Sequence, residues 1–529
     1  MLYSPNQVSG NLQAYSSCTT GKFGVTPHKR PEQKGTSPVS LLGSSFDSPR
    51  TLVAANLSLQ CDSSTIHAKL IADLESVLVL HDISAGTTTL SHMVHSCIGL
   101  FLQYMFPNTP IAHERTLQTA AARLLPEHCP TSSDTLTQPA DVLNLSFEKS
   151  FTLITALCSF VASVMPQSLL PNGRALASPF LHASKAMLRL YEESDLEKPD
   201  STSITIRIWL SGASQNLTGK TGAAWHYHME ASLLALRLRL YEESSVQRDC
   251  AIESRLLRAN FWLLYLADKS AACLQNRASV LSEGLFESDL TVLELCDDDV
   301  PLLDPERDTA QGSLERHILL GFDLKVQIWA AAANVITEMN AYVRSQKQRE
   351  RASSHEDESV VARLSDLIVR FTTLIFNLPP WLQRLDCVDT ADKSVGAYQQ
   401  TCLWALRSNI ITTYHLLKLI ILQKCIENDR LGILVLTGQS LSGPLRKLEI
   451  VQDFINELLA VPFACYKVQG EAGVERIRRV GVIVLELVQN ANNDIIEERV
   501  RSQFAQLLDY LARLDSRASD ELGELSRVR

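Results

Sequence analysis

The chain has 529 residues, 45% hydrophobic and 20% charged, with 22 Gly and 20 Pro, a composition that suits a folded protein with a large core. Acidic residues outnumber basic ones 59 to 49, so the net charge of −10 supplies no bulk positive field for a polyanion. No stretch reaches the roughly 18 continuous apolar residues of a membrane span; the nearest, 95–106 and 409–422, are short or broken by His, Lys and Thr, and the opening MLYSPNQVSGNLQ lacks a secretion signal, which leaves cytosol or nucleus.

Residues 1–75 are rich in Ser, Thr, Gly, Pro, Asn and Gln with few periodic apolar positions, so a disordered arm is expected there. From Ser76 to about residue 520 apolar residues recur at helical spacing between short polar or Pro-containing connections, which predicts an all-α domain, a large multi-helix bundle, followed by a short tail at 521–529. The clearest helix is expected over 222–243, where Ala224, Tyr227, Ala231, Leu234, Leu238 and Tyr241 form one stripe and Leu233, Leu236 and Leu240 extend it round the sides. The next, 252–274, has the same character through Leu256, Leu257, Phe261, Trp262, Leu264 and Tyr265, and helices apolar nearly all round are expected together at the centre. A polar break at 344–358 (RSQKQRERASSHEDE), a solvated loop or a helix extension, divides two helical halves. Pro379 and Pro380 in Leu378-Pro379-Pro380-Trp381-Leu382 stop a helix, and further helices are expected over 397–427, 442–459, 474–491 and 496–514.

Motifs that carry chemistry fail on spacing. Gly212 to Thr221 suggests a phosphate loop, but six residues separate Gly212 from Gly219 where the cradle needs about four, so a helix-to-helix turn is the plainer reading. His226 and His228, two apart on a helix, diverge too far to share a metal and are expected on the surface and flank. The acidic residues between Glu294 and Asp308 lack a calcium loop's alternation and central Gly and suit a solvated loop. No nucleophile elbow, zinc-protease helix or dinucleotide turn is present, so no catalytic residue, cofactor or metal ligand is assigned and an enzyme is not expected. The twelve cysteines lie mostly in apolar helical stretches and suit reduced, small hydrophobic residues. His28-Lys29-Arg30 with Lys34 is the one basic cluster of the arm and suits part of a disordered tail, with a weak nuclear-import patch as the alternative.

Several segments, in this order, resemble the fungal-specific transcription factor domain, the middle homology region of zinc-cluster activators. Cys97-Ile98-Gly99-Leu100-Phe101-Leu102-Gln103-Tyr104-Met105-Phe106-Pro107 is similar to its opening helix, and Thr155-Ala156-Leu157-Cys158-Ser159-Phe160-Val161-Ala162 to the next. Ala224-Trp225-His226-Tyr227-His228-Met229-Glu230-Ala231, running on to Glu243, resembles the helix entering its leucine, glycine, leucine, histidine segment, with Arg239 and Tyr241 replacing the usual Gly and His. Arg258-Ala259-Asn260-Phe261-Trp262-Leu263-Leu264-Tyr265 followed by Leu274-Gln275-Asn276-Arg277 resembles its most recognisable stretch, in the form found in amylolytic and maltose-gene activators, except at Ala259, Asn260 and Ala278. Residues 378–382, Tyr414-His415-Leu416-Leu417 and Val468-Gln469-Gly470-Glu471-Ala472-Gly473-Val474-Glu475-Arg476-Ile477-Arg478 extend the likeness over about 85–515.

The resemblance implies a nuclear regulator of transcription for a metabolic pathway or gene cluster, acting with protein partners as a homodimer or heterodimer. The family's zinc would need six cysteines within about thirty residues in paired spacings, whereas Cys18, Cys61, Cys97 and Cys129 lie far apart, so no zinc cofactor is expected. DNA would then be reached through a partner or an N-terminal module missing from the sequence. A non-DNA-binding co-regulator of related factors, and a small-molecule sensor with a pocket between helices, are the alternatives. Glu230 and Arg258 sit on the two most apolar helices, where lone charges are costly, and are expected to pair with each other or with nearby polar groups. Trp225 and Trp262 on the same helices complete the structural or regulatory candidates.

Overall fold

The computed structural model describes residues 65–80, 89–124, 143–219, 221–275, 277–286, 290, 300–307, 313–349, 358–376, 378–383, 393–428, 442–489 and 494–514. Helices supply all their regular structure, so the protein is all-α. In chain order these are α1 (65–80), α2 (Leu90–Leu100), α3 (Glu114–Leu124), α4 (Phe147–Val164), α5 (Gly173–Glu197), α6 (Ser201–Thr218), α7 (Thr221–Arg237), α8 (Glu243–Val246) and α9 (Ala251–Gln275). After them come α10 (Ser313–Arg349), α11 (Glu358–Thr373), α12 (Pro380–Gln383), α13 (Lys393–Glu427), α14 (Ser442–Ala460), α15 (Phe463–Lys467), α16 (Gly470–Gln489) and α17 (Asp494–Leu514).

Several boundaries differ from expectation. Helix α1 starts inside the stretch assigned to the arm, because Leu70, Ile71, Leu74 and Leu78 recur at helical spacing and are all buried. Residues 1–64, the rest of that arm, and the 521–529 tail lie outside the described residues. The first part of the polar break is a helix extension: α10 continues through Arg349, since Arg, Gln and Lys are good helix formers wherever solvent takes their polar ends. Residues 350–357 lie outside the described residues, as do 291–299 and 308 of the acidic stretch.

Three large apolar clusters and a small one, Ala405, Val461 and Cys465, fill the interior among the described residues. The first gathers α1 to α9 with the start of α10, centred on α4 and α6, with Trp209 fully buried and Phe101 edge-on to it at 5.3 Å. The second joins α10, α11 and α13 through Trp329, Phe371, Leu406, Ile410 and Tyr414, and the third joins α13, α14, α16 and α17 through Leu416, Phe454, Val480 and Leu507. Helix α13 therefore has apolar residues on opposite sides and serves as a wall shared by two cores.

Polar groups lock these layers. Ser159 Oγ donates to Ala177 O at 2.8 Å and Ser184 Oγ to Thr152 O at 3.1 Å, holding α4 against α5. Asp200 and Ser203 form a reciprocal cap at the start of α6, whose Arg207 is fully buried with Nη1 2.7 Å from Asp195 Oδ2. Arg407 makes a two-pronged pair with Glu457, both bonds 2.9 Å, tying α13 to α14. Helices α4 and Leu314–Gln346 within α10 are long and apolar enough to cross a membrane, yet 78% and 61% of their apolar windows are buried inside the protein, as in core helices. They are not the segments that sequence singled out, because a few buried polar residues such as Lys149 and Lys325 interrupt their apolar runs.

The segment resembling a phosphate loop is mostly the body of α6. Gly212 lies within that helix, where a Cβ would collide with the Phe160 ring, and Gly219 ends it with φ of 65°. The expected turn is thus confined to its last residues. Helix α7 also stops earlier than expected, at Arg237, because Arg239 adopts the left-handed conformation, φ 55°. It packs chiefly on α6 and less on α9, with Leu233 59% exposed, so it flanks the first core and does not sit at its centre.

Candidate functional site

A cavity of about 210 Å³ lies where α6, α7, α9 and α16 meet. Small residues make the space: Ala224 on α7, Ala267 and Ala271 on α9 and Ala472 on α16 line it, with Leu274 as the bulkiest aliphatic wall. Ser211 Oγ donates to Ala224 O at 2.7 Å and fixes α7 on α6 at this point.

One wall is aromatic and basic. The Arg277 guanidinium, just past the end of α9, lies 4.2 Å from the centre of the Trp225 ring, close enough for cation–π attraction. On the same indole the His228 imidazole packs at 5.0 Å and 35°. Neither the Arg277 side chain nor the His228 ring nitrogens have a hydrogen-bond partner among the described residues. His228 is only 9% exposed; burial, reinforced by the Arg277 charge and opposed by Asp268, lowers its pKa to about 4, so the ring is neutral near pH 7.

The acidic groups nearby are already engaged. Glu475 accepts from Arg478 Nε and Arg479 Nε, each at 2.7 Å. Asp268 is buried and accepts from Ser279 Oγ at 2.5 Å and from the amides of Val280 at 2.9 Å and Leu281 at 3.3 Å. Arg476, buried on α16, bonds Gln469. The free hydrogen-bonding capacity facing the cavity is thus cationic or neutral.

The four residues singled out from sequence fall in different places. Trp225 is in the cavity. Glu230 faces α6: its Oε1 lies 3.0 Å from His226 Nε2 and its Oε2 3.6 Å from Arg207 Nε. Arg258 makes a two-pronged pair with Glu243, Nη1 to Oε2 at 2.6 Å. Each charge thus has a near neighbour as its partner, and the turn at Arg239 is what brings Glu243 back to α9. Trp262 is 6% exposed and packs edge-on with Tyr265 at 5.3 Å and Phe286 at 5.8 Å, inside the first core. Asn260, a departure from the family pattern, is fully buried and donates to Ser201 O at 3.0 Å and to Thr205 Oγ1 at 3.1 Å.

The two histidines separate as their spacing requires: His226 is exposed on α7, whereas His228 turns inward to the cavity and is not a flank residue. Among the described residues no group of three or more His, Cys, Asp or Glu could hold a metal, and the described cysteines are dispersed over α2, α4, α9, α13 and α15 and the residue before α9, a donor set that does not fit a two-zinc cluster. Cys18, Cys61, Cys129, Cys296 and Cys387 lie outside the described residues.

Arg277 and His228 are what reading the sequence missed. Arg277 falls beyond the end of a helix and reaches Trp225 only after the chain turns, its N–H bonding Ala271 O at 3.3 Å. A tryptophan three residues before a histidine on one helix was the available signal for His228. Compared with known proteins, the chain matches no family model and no curated protein.

Proposed function

We propose that this protein is a regulator of transcription for a fungal metabolic pathway or biosynthetic gene cluster, acting in the nucleus through its helical domain and through protein partners, and not an enzyme. The observation that carries the reading is a convergence. Three of the segments that resemble the fungal regulatory domain, 224–231, 274–277 and 468–478, lie far apart in the sequence and together line one cavity with Ala224, Trp225, His228, Leu274, Arg277, Ala472, Glu475 and Arg476.

Backbone conformation supports it at two further points. Arg239 stands where the family has glycine and has φ of 55°, a conformation that favours glycine. Gly470, in the last of the similar segments, has φ of 58°, and a Cβ there would lie 2.5 Å from Asn216 Oδ1 and 2.8 Å from Val164 Cγ1.

The test is to tether the chain to a heterologous DNA-binding domain upstream of a reporter and to follow a tagged chain in a fungal host. Nuclear accumulation with raised or lowered reporter output is expected; a cytoplasmic chain with no effect in either direction refutes the reading. A second reading, a co-regulator that pairs with intact relatives, is favoured by the net charge of −10. Sequence-specific gel shift by the isolated chain would contradict it.

A further inference from the structure

We propose that the cavity between α6, α7, α9 and α16 is a binding site for a small carboxylate with a compact apolar body, clamped between Arg277 and His228. The charge requirement comes from the groups that remain free. Arg277 holds its planar fork over Trp225 with no hydrogen-bond partner among the described residues, and a fork of parallel N–H groups matches the two oxygens of a carboxylate. The one acid of the lining, Glu475, is engaged by Arg478 and Arg479, and Asp268, whose charge reaches His228, by Ser279 and two backbone amides.

The second polar contact comes from a histidine that folding alone does not account for. A polar ring 9% exposed normally has a partner, and His228 has none among the described residues although it lines the cavity. Its neutral imidazole offers one N–H and one lone pair, so it can donate to a carboxylate oxygen or bond a hydroxyl or keto group beside it. Arg277 and His228 both rest against Trp225, at 4.2 Å and 5.0 Å, so one indole supports both.

The small apolar side chains of the lining select the ligand's body. Ala267, Ala271, Leu274 and Ala472 present methyl groups and no charge. At about 210 Å³ the cavity admits an organic acid the size of a branched-chain or aromatic monocarboxylate and is too small for a nucleotide or a drug-sized ligand, whose sites run to about 300–1,000 Å³.

Saturation-transfer NMR on the full chain, with benzoate and 3-methylbutanoate as probes and benzamide as the neutral isostere, tests this directly and independently of any role in transcription. The carboxylates should show transfer and benzamide markedly less. R277M keeps side-chain bulk and H228F keeps the aromatic packing on Trp225; each should weaken carboxylate binding at least about tenfold, while R370A, on exposed α11, should leave it unchanged. Thermal unfolding of each variant identifies any that fails to fold, and R277K, which retains charge without the fork, should bind between wild type and R277M. Absence of transfer from both carboxylates, equal binding of benzamide, or undiminished binding by folded R277M and H228F would overturn the proposal.

Discussion

Consider the replacement of Asp195 by asparagine. The Asp195 side chain is 1% exposed and lies between two cations, Arg207 Nη1 at 2.7 Å and Lys149 Nζ at 2.9 Å, and it also accepts from Ser203 Oγ at 2.6 Å. Lys149 has a second acid, Asp200 Oδ2 at 2.8 Å, but Arg207 is fully buried and its other near acid, Glu230, stands 3.6 Å from Nε. Removing one charge of a buried pair leaves the other desolvated and costs about 3–5 kcal/mol. Asparagine retains the shape and one accepting oxygen, which places D195N near the lower end, about 3 kcal/mol, a large part of a typical total of about 5–15 kcal/mol. D200N is the matched control: its side chain is 38% exposed, asparagine still caps α6, and about 1 kcal/mol or less is expected. Burial opposes ionisation of Asp195, but Lys149, Ser203 and Arg207 outweigh it and hold the pKa below the usual 3.8. This stabilisation is present above pH 3.8 and is lost as pH falls through the lower folded value, so D195N should flatten the acid limb of a stability-against-pH curve. Urea unfolding followed by circular dichroism measures both. D195N no less stable than D200N would refute the reasoning.

Three more outcomes follow from the same coordinates. Lys325 is buried with Nζ donating to Asn108 O at 2.8 Å; burial, reinforced by Arg476, pushes its pKa down to about 7, below the ordinary 10.5. The unfolded chain binds the proton more readily across that window, so stability should rise from pH 7 to 10.5 by up to about 1.4 kcal/mol per unit, a slope that K325M should remove in urea titrations. G470A should destabilise by about 1–3 kcal/mol, because the left-handed backbone and the contacts with Asn216 and Val164 both resist a Cβ; an unchanged urea midpoint would contradict this. R239G should melt above R239A, since both lose the Arg239–Glu242 pair and only glycine relaxes the φ of 55°; the reverse order in calorimetry would deny strain at this turn.

The helices themselves were legible because each carries its own apolar periodicity. Those expected over 252–274, 442–459 and 496–514 match α9, α14 and α17 to within two residues. The end of α7 was not legible because the reversal has no glycine or proline to mark it: α7 stops at Arg237 because Arg239 is left-handed. Placement of α7 failed for another reason. Apolar residues on several faces show that a helix has several neighbours, but the larger contact is with α6, where Ser211 bonds the Ala224 carbonyl.

Composition and periodicity alone therefore determined that this chain is all-α, since a residue's spacing along a helix is a local property. Which charges meet was decided by tertiary structure. Glu230 and Arg258, expected to pair with each other or with nearby polar groups, found Arg207 with His226, and Glu243, once the reversal at Arg239 had positioned their helices. The cavity is likewise a tertiary product: Trp225, His228, Arg277 and Arg476 span some 250 residues of sequence, and only the packing of α6, α7, α9 and α16 puts an uncommitted guanidinium and an uncommitted imidazole against the same indole ring.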